Sequence, residues 1–83
     1  MSDGESRIAN ISIVVRDKAS APLVNDILSK HGDVIQGRLG IPSPGRGVSI
    51  IVIVVDAGND RIGAISGSLG NVPGVTLRST MLV

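Results

Sequence analysis

Val48-Ser49-Ile50-Ile51-Val52-Ile53-Val54-Val55 is the stretch on which the reading of this chain turns. Seven of its eight residues are Val or Ile, and turn formers fence it on both sides, Pro44-Gly45-Arg46-Gly47 before and Asp56-Ala57-Gly58 after. That is the pattern of a strand buried on both faces, and it is read as the central strand of a sheet. Antiparallel sheets commonly leave one face wet, so a strand without polar alternation needs a cover for its second face.

Upstream, the turn cluster 42–47 joins this strand to a weaker one over Asp33–Ile41, in which Ile35, Leu39 and Ile41 share a parity. Gly37 interrupts it, as expected at a sheet edge where a bulge is tolerated. Before it, Ser20 and Pro22 open a helix in which Leu23, Val24, Ile27 and Leu28 recur at helical spacing, and Gly32 is expected as its left-handed cap. Residues 7–16 form the first strand, with Ala9, Ile11, Ile13 and Val15 on one face and Asn10 and Ser12 on the other. Downstream, Asn59 or Asp60 caps a second helix over Arg61–Leu69, and Gly70-Asn71-Val72-Pro73-Gly74 ends it. Val75–Val83 alternates as a last strand, Val75, Leu77, Ser79 and Met81 against Thr76, Arg78, Thr80 and Leu82.

The two halves echo one another, Ile11-Ser-Ile-Val-Val-Arg-Asp17 against Ile51-Val-Ile-Val-Val-Asp56, each followed by a helix and a further strand. With right-handed crossovers the order βαββαβ predicts an α+β ferredoxin-like sandwich, a four-stranded antiparallel sheet in order 4-1-3-2 with both helices on one face. The echo also assigns the faces. If Ile11, Ile13 and Val15 face the helices, so do Ile51, Ile53 and Val55, and Val48, Ile50, Val52 and Val54 point away. That aliphatic row, beside Val14, is expected to be covered by a second copy of the chain, in a dimer or tetramer.

The chain has 83 residues, enough for one domain, with residues 1–6 a disordered lead and 7–83 the folded part. A domain of this size buries only about 60–65% of its unfolded surface, and with no aromatic residue the core rests on Val, Ile and Leu. Eight Lys and Arg balance seven Asp and Glu without a basic run, which argues against direct nucleic-acid binding. Without Cys there is no disulfide, thiolate metal site or thiol nucleophile. The polar start does not read as a signal peptide and no apolar run is long enough for a membrane helix, so the expectation is a cytoplasmic protein.

Gly63, Ser66, Gly67 and Gly70 make the second helix small-sided, at about 1 kcal/mol per interior Gly relative to Ala. Close packing on the sheet or on a neighbouring subunit would offset that cost, as would a ligand cleft lined by Gly63, Ser66 and Gly67. Gly58 and Gly63 carry the spacing of a phosphate loop, but Ala64-Ile65 stands where that loop has its Lys and hydroxyl residue, which excludes nucleotide binding of that kind.

The run Asn59-Asp60-Arg61-Ile62-Gly63-Ala64-Ile65-Ser66-Gly67-Ser68-Leu69-Gly70-Asn71-Val72-Pro73-Gly74-Val75 resembles the second helix and turn of small proteins assigned as regulators of the iron-only hydrogenase system. The resemblance extends through Val24-Asn25-Asp26-Ile27-Leu28 and Arg38-Leu39-Gly40-Ile41-Pro42. It implies a stand-alone domain similar to ACT domains and to the C-terminal half of nickel-responsive repressors, oligomeric, with a hydrogenase-maturation protein as a partner. In ACT domains the ligand lies near the first strand-to-helix loop, here Arg16-Asp17-Lys18-Ala19-Ser20, so the resemblance nominates Asp17, Lys18 and Ser20. That loop lacks the early Pro-Gly of the ACT pattern.

No constellation for catalysis appears. His31 is the sole His and falls at a helix end, and one His per chain makes a metal site only through oligomer symmetry. Asp17, Asp56 and Asp60 occupy turns where Asp serves as a cap, and Arg46 sits alone on the Pro-Gly loop. The expectation is a non-catalytic regulatory domain without cofactor or metal, sensing a small ligand or a protein partner. The alternative is an assembly or accessory protein that binds no small molecule.

Overall fold

The computed structural model describes residues 6–83; the first five residues of the expected lead lie outside them. The elements are β1 (Arg7–Val15), a short 3-10 helix (Lys18–Ser20), α1 (Ala21–Lys30), β2 (Ile35–Ser43), a second 3-10 helix (Pro44–Arg46), β3 (Val48–Ala57), α2 (Asn59–Gly70) and β4 (Val75–Met81). All pairings are antiparallel and the sheet runs β2-β3-β1-β4, the expected 4-1-3-2 order read from the other edge.

The alternation in β1 does what its pattern dictates. Ala9, Ile11, Ile13 and Val15 are buried and stand opposite Val55, Ile53, Ile51 and Ser49 of β3. Val24 and Leu28 of α1, and Ile62, Ile65 and Leu69 of α2, close over that face, with Val72 and Val75 completing the core. Val48, Ile50, Val52 and Val54 are half-buried on the opposite face, where their register partners are Val14, Ser12 and Asn10 of β1.

β2 departs from its expected parity. The register slips between Ile35 and Gly37, so Ile35 lies opposite Val55 and packs on the core, while Leu39 and Ile41 lie opposite Val52 and Ile50 on the outer face. One extra residue at the bulge inverts every later side chain, and Ile35 therefore no longer shares a face with Leu39 and Ile41. The strand also continues through Pro42, which an edge position accepts because one side of the backbone needs no donor.

Two local expectations are corrected. Gly32 is not a left-handed cap: α1 tightens into a turn through Val34 N to His31 O (3.1 Å) and Ile35 N to Gly32 O (3.4 Å), and among the described residues positive φ is found at Gly47 and Gly74. Ser20 and Pro22 open α1 as expected, Ser20 at the cap position and Pro22 in the first turn, although the Ser20 side chain makes no capping bond. The cap of α2 is Gly58 rather than Asn59 or Asp60, both of which lie inside the first turn. There the Asp60 carboxylate meets the positive end of the helix dipole.

Candidate functional site

The β1–α1 loop is fixed before it can present anything. Arg16 N donates to Gly74 O (2.8 Å), Ser20 N to Asp17 O (2.9 Å) and Ser20 Oγ to Pro73 O (2.5 Å), so the loop is fastened to the α2–β4 turn. The Asp17 carboxylate accepts from Ala19 N (3.0 Å) and caps the 3-10 helix. Gly74 makes the close approach possible: its φ is +74°, and a β-carbon there would stand 2.8 Å from that of Asp17.

Of the three loop residues singled out by sequence, Asp17 and Ser20 are thus framework, and Lys18 is the one that faces open space. It lines a recess of about 390 Å³ together with Val15, Ala21, Pro42, Ser43 and Gly47 and with Val48 and Ser49 at the start of β3. The walls are mainly aliphatic and carry a single cation, the arrangement of a pocket for a small, partly apolar molecule with an acidic or electron-rich end. Sequence reasoning missed the contribution of the β2–β3 hairpin, because the pairing that brings residues 42–49 to the β1–α1 loop is visible only once the sheet is assembled.

Gly63, Ser66 and Gly67 do not join that recess. Gly63, Gly67 and Gly70 lie exposed on α2, and a β-carbon at any of them would meet nothing within 4 Å. Close packing of α2 on its own sheet therefore does not account for these glycines. Ser66 Oγ is buried without a hydrogen-bond partner among the described residues.

The outer sheet face holds the expected interface residues and more. Val48, Ile50, Val52 and Val54 on β3 are continuous with Val14 on β1, and β2 adds Leu39 and Ile41, which are 56% and 48% exposed. At a strand rise of about 3.3 Å and a strand spacing of about 4.8 Å, this aliphatic field spans roughly 20 Å by 10 Å.

Arg61 ties α2 to the turn after α1. Its Nη atoms donate to both Asp33 carboxylate oxygens (2.6 and 3.1 Å) and its Nε to His31 Nδ1 (3.1 Å). The Arg61 hydrogen bonds hold the Asp33 carboxyl below its ordinary pKa against the opposing effect of desolvation. His31 is therefore an acceptor in an inter-element bond. Among the described residues no three His, Cys, Asp or Glu side chains gather where a metal ion could be held, and no helix is long and apolar enough to cross a membrane.

Fold and site together define a small ferredoxin-like domain with an uncovered aliphatic sheet face and a recess at its first strand-to-helix loop. The chain belongs to the TM1266-like family, described as "Iron-only hydrogenase system regulator, putative", whose model matches residues 7–79. Among solved structures it is similar to TM1266 of Thermotoga maritima, at 34% identity and TM-score 0.91 over 95% of this chain and 100% of that one. The C-terminal domain of MgtC from Mycobacterium tuberculosis shares the fold at 11% identity and TM-score 0.74, over 99% of this chain and 94% of that one. CPII, a nitrogen regulatory PII-like protein of Thiomonas intermedia K12 solved with ADP, AMP and bicarbonate, shares it at 14% identity and TM-score 0.51, over 92% and 94%. None of the curated proteins compared matches the chain.

Proposed function

We propose that this chain is a non-catalytic regulatory domain of the iron-only hydrogenase system. It acts as a homo-oligomer, a dimer or tetramer joined through the outer sheet face, and senses a small ligand in the Lys18 recess on behalf of a hydrogenase-maturation partner. The observation that carries the reading is the aliphatic field of Val14, Leu39, Ile41, Val48, Ile50, Val52 and Val54, which the helices leave uncovered. A second copy placed over it would bury the apolar centre of an interface, with the polar β1–β4 half as rim. Because Val48 belongs to both the face and the recess, a ligand at Lys18 touches an element of the contact and can bias the oligomer. The non-catalytic reading is supported by how the polar side chains are used: Asp17 caps a turn, and Arg61 engages both Asp33 and His31.

A thermal-shift screen with amino acids, nucleotides and divalent metals tests the ligand half. A true ligand at 100 times its Kd adds about 2.7 kcal/mol, equivalent in a domain of this size to a rise in Tm of about 10–20 °C, and Lys18→Ala removes the rise. No shift with any compound removes the sensor role and leaves the second reading, an accessory protein working through its sheet face alone.

A further inference from the structure

We propose that the β1–β4 half of the outer sheet face carries a separate binding site for an oxyanion, a carboxylate or phosphate group borne by a small molecule. A recess of about 470 Å³ lies there, lined by Ser12, Val14, Arg16, Thr76, Leu77 and Arg78, and it shares no lining residue with the Lys18 recess. The register explains why these groups converge. Ser12 stands opposite Arg78 and Val14 opposite Thr76, while Arg16, whose N donates to Gly74 O, directly follows the last residue of β1 and continues that parity.

Arg16 does not extend into solvent. Its Nη1 donates to Thr76 Oγ1 (2.7 Å), which lays the guanidinium over the Val14–Thr76 row. That row is one same-face step, about 7 Å, from the Ser12–Arg78 row. Two guanidinium groups and two hydroxyls therefore surround a floor formed by Val14, and no carboxylate is among the lining residues. Among the described residues neither Arg16 nor Arg78 pairs with an acid, whereas Arg61 and Lys30 both do. A guanidinium presents paired N–H donors that match carboxylate and phosphate oxygens, so an oxyanion bridging the two arginines would satisfy donors that the chain leaves open. The Val14 floor suits a short apolar stem on the same ligand. Val14 is shared with the aliphatic field, so the site lies at the rim of the proposed subunit contact, on the β4 side of β1.

The test is a ¹⁵N amide titration of the full chain with inorganic phosphate and, separately, with butyrate, each against matched sodium chloride. Saturable shifts centred on Ser12, Val14, Thr76 and Arg78 are expected with at least one anion, and which of the two saturates identifies the oxyanion. Arg16→Gln and Arg78→Gln should each weaken binding about tenfold or more, the size of a charge-assisted hydrogen bond. Arg7→Gln should leave it unchanged, and the same spectra report that each variant is folded. Shifts that grow linearly without saturation, that chloride reproduces, or that survive in both arginine variants would overturn the proposal.

Discussion

At Gly74 φ is +74° and a β-carbon would stand 2.8 Å from that of Asp17 and 3.2 Å from its backbone N. Gly67, by contrast, has helical backbone on an exposed face with nothing within 4 Å of the same atom. Alanine at the two positions should therefore have opposite effects. Gly74→Ala should destabilise by at least the roughly 1–2 kcal/mol that the left-handed conformation costs, with displacement of the β1–α1 loop in addition. Gly67→Ala should stabilise by about 0.5–1 kcal/mol, the helix-propensity difference. Urea denaturation of the two variants checks both signs; a destabilising Gly67→Ala would mean that something not in this chain presses on α2. The sequence separates a helical Gly67 from a turn Gly74, but the close approach of Asp17 to Gly74 and the open space at Gly67 become visible only once the neighbouring backbone is in place.

Where a pattern was local, the elements followed from it. The alternation of β1 places its buried residues without reference to the rest of the chain; the spacing of α1 finds Val24 and Leu28 but also named Leu23, which is exposed, and the alternation of β4 holds only for Val75 and Leu77, Met81 being exposed. β2 departs further, because the bulge between Ile35 and Gly37 makes a shared parity in sequence into opposite faces in space. The junction of Arg61 with Asp33 and His31 was equally invisible, since its partners are 28 and 30 residues away and nothing local marks them. That junction makes a pH prediction. The folded Asp33 pKa lies below its unfolded value, so its contribution to stability is fully present above the unfolded value and is lost as pH falls through the folded one. The stability difference between wild type and Asp33→Asn should accordingly be constant near neutrality and shrink below about pH 4. Denaturant titrations at a series of pH values measure it, and a difference that persisted unchanged into acid would show that the ion pair contributes nothing.

For the molecule as a whole, one sheet face is closed by α1 and α2 and the other is left with an aliphatic half and a cationic half. The internal echo of the sequence was enough to assign Val48, Ile50, Val52 and Val54 to that outer face. The bulge adds Leu39 and Ile41, which widens a single row into a field and gives an interface a centre. Native mass spectrometry at micromolar concentration, on the wild type and on Leu39→Lys/Val52→Lys, is the direct measurement. The expected result is a dimer or tetramer for the wild type and a folded monomer for the double variant, each Lys being unable to shed its hydration against an apolar partner surface. A wild-type monomer, or an assembly that survives both lysines, would contradict it.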